Sequence, residues 1–242
     1  MMGKYFLNIR EAREDETIEN NNGSSVLQIT SDQLFAYYNF KKQTDESTIL
    51  ATDYSGHGNH ATLNNIKSTD WTQQGLKLGG NNQRITPPFT TSAFPENFSI
   101  QSVSEVDSAS TDQQVIGLSA NNCSPPTGIF FYRKSGNHIY FGRPCMDIDI
   151  WGNEGNVTSL QHFGMTVNGS TWKIYRNGVP IQTINNGSGV NGNVPLYIGY
   201  STGMPYFKGV MGAVAFHGKA LSDTEILNDY TCFVENGNLG VI

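Results

Sequence analysis

Two Asn-Gly pairs, Asn168-Gly169 and Asn177-Gly178, stand nine residues apart, each between short runs of alternating apolar character. The first separates Met165-Thr166-Val167 from Trp172-Lys173-Ile174, and the second separates Ile174-Tyr175-Arg176 from Val179-Pro180-Ile181. Asn and Gly tolerate the positive φ that a type I′ turn needs at both central positions, and that turn matches the twist of paired strands. Three strands folded back on one another are therefore expected over 165–181.

The same punctuation runs through the chain. Residues 34–40 read as an aromatic-rich strand. Further short strands are expected at 76–78, 98–100, 115–118, 129–132, 138–141, 146–151, 162–167, 172–176, 195–199 and 210–216. Gly79-Gly80-Asn81 and Ser135-Gly136-Asn137 mark turns between them. The 26 Gly and 25 Asn, against only 15% charged residues, suit short strands and tight turns rather than a helical bundle or a disordered chain. A length of 242 residues fits one large sandwich. One helix is expected over 221–227, about two turns long, because Ser222 followed by Glu225 forms a capping box.

Residues 1–31 differ from the rest. Tyr5, Phe6, Leu7 and Ile9 make a short apolar patch, residues 10–19 are dense in charge and mostly acidic, and residues 20–25 read as a linker. This arm is either a solvated tail or an anchor on a larger assembly, and 32–242 form the sandwich.

Several function classes are disfavoured. With 15 basic against 21 acidic residues and a net charge of −6, the chain is not built to neutralise nucleic-acid phosphates. No apolar run approaches the ~20 residues of a membrane span. Cys123, Cys145 and Cys232 are odd in number and widely spaced, which reads as free thiols rather than a disulfide framework or zinc ribbon. The Met-Met-Gly-Lys-Tyr-Phe start lacks a signal peptide's apolar stretch, so synthesis in the cytoplasm is expected. No phosphate-cradling glycine motif occurs, which argues against nucleotide use.

Asp53-Tyr54-Ser55-Gly56-His57-Gly58-Asn59-His60-Ala61-Thr62-Leu63 resembles the D-x-S-G-x-G-N-x-G/A-x-L opening of laminin-G-like, concanavalin-A-like domains. Leu34 to Phe40 is similar to their first strand, Leu76 to Gly80 to their L-x-F-x-G element, and Phe98-Ser99-Ile100 to their F-T-I-S strand. The run from His162 to Gly178 resembles their central strand pair ending in Y-x-N/D-G. Leu196-Tyr197-Ile198-Gly199, Phe207-Lys208-Gly209 and Ala220-Leu221-Ser222-Asp223-Thr224-Glu225-Ile226 resemble their closing elements. The pieces appear in family order over 33–232. The resemblance implies an all-β, two-sheet antiparallel jelly-roll sandwich with one short C-terminal helix. Two positions depart from the pattern: the usual Trp after Phe98-Ser99-Ile100 is absent, and Asn177 stands at the position before the turn glycine. The scaffold hosts lectins, adhesion modules, virion proteins and glycosidases, so function has to be argued from sites.

Concanavalin-like glucanases carry their carboxylates on one strand as E-x-D-x-E or E-x-D-x-x-E, a pattern missing from this chain. The nearest stretch is 146–151, where strand alternation puts Asp147, Asp149 and Trp151 on one face. That face is either plain solvent-exposed strand or a glycan or ion site, because carboxylates accept from sugar hydroxyls and an indole stacks on a pyranose. Catalysis there needs one Asp held protonated, for which the sequence supplies no apolar burial. Asp53 and Asn59 suggest calcium by the resemblance; the alternative is an Asx-turn in which Asp53 caps its own loop. His57 and His60 lack a third metal ligand. Tyr200 and Tyr206 bracket a polar loop, a second candidate glycan site or else the cover of a sheet end.

The reading reached is of a non-catalytic structural or recognition module, not an enzyme. It is a bacteriophage capsid or tail decoration, made in the host cytoplasm and docked to other virion proteins by its arm. Weak glycan binding and bound calcium are added capacities. The alternatives are a laminarinase-like glycoside hydrolase and a secreted bacterial carbohydrate-binding module.

Overall fold

The computed structural model describes residues 29–41, 48–107, 113–118, 130–134, 138–142, 150–153, 159–185 and 192–235. The first strands are β1 (Leu34–Asn39), β2 (Leu50–Ala51), β3 (Ala61–Asn64), β4 (Leu76–Gly79), β5 (Arg84–Thr86), β6 (Phe98–Val106), β7 (Gln113–Leu118) and β8 (Phe130–Lys134). There follow β9 (His138–Gly142), β10 (Ile150–Asn153), β11 (Gln161–Asn168), β12 (Thr171–Arg176), β13 (Val179–Ile184), β14 (Leu196–Ile198), β15 (Lys208–His217) and the helix α1 (Asp223–Glu235).

The strands form two antiparallel sheets. One runs β1-β15-β6-β11-β12-β13, with β4 also pairing β15, and the other runs β10-β9-β8-β7-β14-β5-β3-β2. The chain is thus the expected two-sheet sandwich with one C-terminal helix.

Alternation in β1 and β4 sends Ala36, Tyr38, Leu76 and Leu78 inward. There they meet Phe98, Met165, Trp172, Ile198, Phe207 and Phe216, all fully buried between the sheets. In β6, β11 and β15 both faces are buried, so the alternation disappears. The second face of β6 and β15 is covered from α1 by Cys232 and Phe233, which pack with Val103, Ala213, Ala215 and Ile29. Ile29 therefore packs on the sandwich, although the sequence reading placed it in the arm.

The helix departs from the two turns expected. The capping box forms: Glu225 N–H donates to Ser222 Oγ (3.2 Å) and Ser222 N–H to the Glu225 carboxylate (2.7 Å). Past Leu227 the helix continues to Glu235, because Ile226, Asp229 and Phe233 recur at helical spacing and are all buried.

The hairpins also differ in one detail. Asn177 (φ 48°) and Gly178 (φ 78°) both take positive φ between paired Arg176 and Val179, as a type I′ turn requires. In the other hairpin Asn168 pairs Thr171, so the central residues are Gly169 and Ser170, and of these only Gly169 (φ 56°) is positive. That arrangement is of the II′ kind, with Gly at the first central position. β2, β3 and β5 went unread because strands of two to four residues carry too little pattern.

Under α1 lies a buried polar chain. His162 Nε2 meets Gln101 Oε1 at 2.9 Å, Gln101 donates through Nε2 to Asp229, and His217 Nε2 lies 2.8 Å from the Thr30 carbonyl. Burial holds the His162 imidazole down at about 3, so it stays neutral in the fold, while the unfolded chain protonates it below about pH 6.5. The unfolded state then binds more protons, and stability falls as pH drops from about 6.5 towards 3, by up to about 1.4 kcal/mol per pH unit. Denaturant unfolding of wild type and His162→Gln between pH 7 and 4 should give a slope shallower in the variant by about that amount. Coincident slopes would contradict the assignment.

Candidate functional site

Strand alternation in β14 buries Leu196 and Ile198 and turns Tyr197 outward, where it is half-buried on the eight-stranded sheet. The neighbouring β5 likewise buries Ile85 and turns Arg84 outward, with Ile85 opposite Ile198. After β14 the chain makes a closed excursion. Phe207 N–H donates to the Gly199 carbonyl (2.9 Å), Gly199 N–H to the Val115 carbonyl (2.8 Å), and Met204 N–H to the Ser201 carbonyl (3.2 Å). Gly199 sits at φ 82°, and a Cβ there would come within 2.8 Å of Leu78 Cδ1. Phe207 is fully buried and pins the far end.

This closed loop brings Tyr200 and Tyr206 face to face, their rings 4.4 Å apart and inclined by 20°. Tyr197 adds a third ring 5.4 Å from Tyr200. The Arg84 guanidinium carbon lies 5.4 Å from the centre of Tyr197 and 5.7 Å from that of Tyr200, within cation–π range of both. A rigid, half-exposed aromatic platform with a cation at its edge suits a ligand with flat apolar faces and polar rims.

Gly117 on β7 makes the platform possible. It faces Tyr197 across the sheet, and a Cβ there would lie 2.4 Å from the Tyr200 carbonyl oxygen and 2.4 Å from Ser201 Cβ. Gly117→Ala should lift the loop off the sheet and lower stability by about 1–3 kcal/mol. Near-ultraviolet dichroism of the tyrosines should change as well; an unaltered spectrum would show that the loop does not rest on Gly117.

The 53–60 loop is built differently. Asp53 is 6% exposed. Its Oδ1 accepts from Tyr37 N–H and Ser55 N–H, both at 2.9 Å, and its Oδ2 from Ser55 Oγ–H (2.8 Å) and Asn59 N–H (2.9 Å). Asn59 donates through Nδ2 to the Phe35 carbonyl (2.6 Å), and Tyr38 Oη–H donates to the Asn59 carbonyl (2.6 Å). Calcium takes six to eight oxygen ligands, whereas here four N–H and O–H groups point at the carboxylate. Asp53 and Asn59 do come together, joined in the clasp of the loop. Among the described residues no three His, Cys, Asp or Glu side chains gather. An open cleft of about 580 Å³ borders this loop, lined by Phe35, Phe89, Pro95, His57 and Asn59 among others.

The other expected site residues fall elsewhere. Tyr5, Phe6, Leu7 and Ile9, and likewise Asp147 and Asp149, lie outside the described residues. Trp151 lies on β10, its backbone paired with Tyr140 on β9. Tyr200 and Tyr206 are brought together. The sequence reading missed Tyr197 and Arg84. Outward alternation beside Leu196, Ile198 and Ile85 marked each of them, but nothing local pairs β5 with β14.

Such a two-sheet antiparallel sandwich is of concanavalin-A type, and the comparisons agree. The chain belongs to the concanavalin A-like lectin/glucanases superfamily, whose family model matches residues 78–227. No curated protein matches it. Among solved structures it is similar to Trypanosoma rangeli sialidase (TM-score 0.65, 12% identity, 90% of this chain and 35% of that one). It is also similar to domain 4 of AbnA, a GH43 extracellular arabinanase from Geobacillus stearothermophilus, in complex with arabinotriose (TM-score 0.60, 16% identity, 82% of this chain and 98% of that one). A third likeness is to the HCR/D W1238A mutant (TM-score 0.63, 15% identity, 83% of this chain and 52% of that one). The chain spans about a third of the length of the sialidases it matches.

These findings correct two expectations. The non-catalytic virion module and the reading of no enzyme, which had kept a glycoside hydrolase as its alternative, give way, because the likenesses run to sialidases and to a domain of an arabinanase, and nothing ties the chain to a virion. The error came from reading the absence of one carboxylate pattern as the absence of an enzyme. Among the described residues no helix is long and apolar enough to cross a membrane.

Proposed function

We propose that this chain is the carbohydrate-engaging domain of a glycoside-hydrolase-type protein, holding an oligosaccharide on the outer face of its eight-stranded sheet. The observation that most supports this reading is the likeness to AbnA domain 4, matched over 98% of that domain with arabinotriose bound. The stacked Tyr200–Tyr206 pair beside Tyr197 supplies a fitting surface. Pyranose and furanose rings present C–H faces that pack on aromatic rings, while phenol hydroxyls bond to sugar hydroxyls. The loop is closed at its base before any ligand arrives, so little ordering entropy opposes binding.

The test is affinity electrophoresis of the whole chain through gels carrying arabinan, β-glucan, xylan, pectin or sialoglycan, with released reducing ends assayed in parallel. Retardation in at least one gel is expected. Reducing-end release from the retained polymer would assign bond cleavage to this chain itself; retardation alone would assign it the binding part of a larger hydrolase. Unretarded migration in every gel, with no release, would overturn the proposal.

A further inference from the structure

Arg84 has an unusual standing on this surface. Its guanidinium lies against two tyrosine rings, yet among the described residues it has no carboxylate partner. Its Nε is covered by protein and finds no acceptor. The lysines Lys173, Lys208 and Lys219, by contrast, are each paired with an aspartate. The guanidinium is weakly hydrated and stacks on aromatic faces, and it presents a planar fork of donors matched to a carboxylate. With one face taken by the tyrosines, the terminal nitrogens are the edge left for a ligand.

The tyrosines themselves are under-used. None of the Tyr197, Tyr200 and Tyr206 hydroxyls is engaged by another described residue, while the buried Tyr38 and Tyr175 hydroxyls donate to Asn59 and Asp223. Further along the same face, Asn64 donates through Nδ2 to Thr86 Oγ1 at 2.9 Å, which holds a polar rim beside Arg84. Aromatic rings, free phenols and an uncompensated guanidinium are thus gathered on β5, β14 and the loop after β14, in a chain whose net charge is −6. A guanidinium held against aromatic rings with no carboxylate partner is placed to meet an anion from outside.

From this we infer that the platform takes a sugar bearing a carboxylate, a uronate or a sialate, with the ring against the tyrosine cluster that Tyr200 holds together and the carboxylate on the Arg84 terminal nitrogens. The inference rests on the proposed carbohydrate-engaging role and narrows its ligand to the acidic class. A carboxylate suits better than a sulfate ester, because its two oxygens lie in one plane with the guanidinium fork.

The experiment is calorimetric titration of the whole chain with trigalacturonate, its methyl ester, 3′-sialyllactose, lactose and a sulfated trisaccharide. It is repeated with Arg84→Gln, Arg84→Lys and Tyr200→Ala, each checked for unchanged thermal unfolding. One carboxylated sugar should bind at least tenfold tighter than its uncharged counterpart, and which one does so tells uronate from sialate. Arg84→Gln should erase that ratio, Arg84→Lys should restore it only in part, and Tyr200→Ala should weaken charged and uncharged sugars alike. Equal affinity for charged and uncharged sugars, still sensitive to Tyr200→Ala, would overturn the acidic-sugar inference and leave the carbohydrate role standing. Sulfated and carboxylated sugars binding alike would overturn the carboxylate assignment. No binding by any sugar would overturn both.

Discussion

Replacing Asp229 with Ala should lower the stability of the folded chain by about 3–5 kcal/mol, because three hydrogen-bond donors lose their acceptor at once. Asp229 is wholly buried on the inner face of α1. One oxygen accepts from Thr30 N–H (2.5 Å) and Thr30 Oγ–H (2.7 Å), and the other accepts from the Gln101 amide. Burial raises its carboxyl above the usual range, while His217 and those three donors pull the other way. The truncation strands the buried Gln101 amide and the two half-buried Thr30 donors, and opens a cavity between the helix and the sheet. At about 2–4 °C per kcal/mol for a domain of this size, the melting point should drop by about 6–20 °C. Asp229→Asn keeps the shape and one acceptor and should fall by less than half as much. Differential scanning calorimetry at pH 7 decides the matter; an Ala variant melting within 2 °C of wild type, at ~0.5–1 kcal/mol, would show that the helix is held by its apolar residues alone.

Asp53→Ala should come next, with a loss of about 3 kcal/mol. The four donors that converge on Asp53 come from β1, from its own loop and from the residues leading into β3. Removing the carboxylate leaves the Tyr37 and Asn59 amides buried or half-buried without that acceptor, and frees a loop whose Gly56 and Gly58 both take positive φ. Local opening should precede global unfolding. Hydrogen exchange at Tyr37, Ser55 and Asn59 should therefore quicken more than exchange in β6, whose amides lie at the centre of the sheet. Equal slowing or quickening at both places would contradict the clasp role. Asp53→Asn is informative because it keeps an oxygen and adds a donor where four donors already converge; it should recover little of the loss.

Legibility in the sequence followed contact range. The D-x-S-G-x-G-N segment shows its clasp because most of its partners lie within six residues of Asp53. Asn177-Gly178 shows its turn for the same reason, and Ser222 with Glu225 shows where the helix begins. The length of α1 was written in Ile226, Asp229 and Phe233, but a buried aspartate in the repeat masks the apolar stripe. Gln101 and Asp229 are 128 positions apart, so their bond follows only from the pairing of β6 with β15 and the helix packed above them. The site divides in the same way. Tyr200 and Tyr206 were visible as two aromatics closing one loop, whereas Arg84 reaches them across the β5–β14 pairing, which rests on a single opposed pair, Ile85 and Ile198. Gly117 reads as an ordinary strand glycine until the Tyr200 carbonyl is seen lying over it.

The proposed carbohydrate role stands on the tyrosine platform. The most direct measurement compares wild type with the Tyr200→Ala/Tyr206→Ala double variant, by titration calorimetry against whichever oligosaccharide wild type binds best, with thermal unfolding recorded for both. Saturable binding by wild type is expected, with at least a tenfold loss in a double variant that still unfolds cooperatively. Undiminished binding by that variant, or no binding by wild type to any oligosaccharide, would contradict that role.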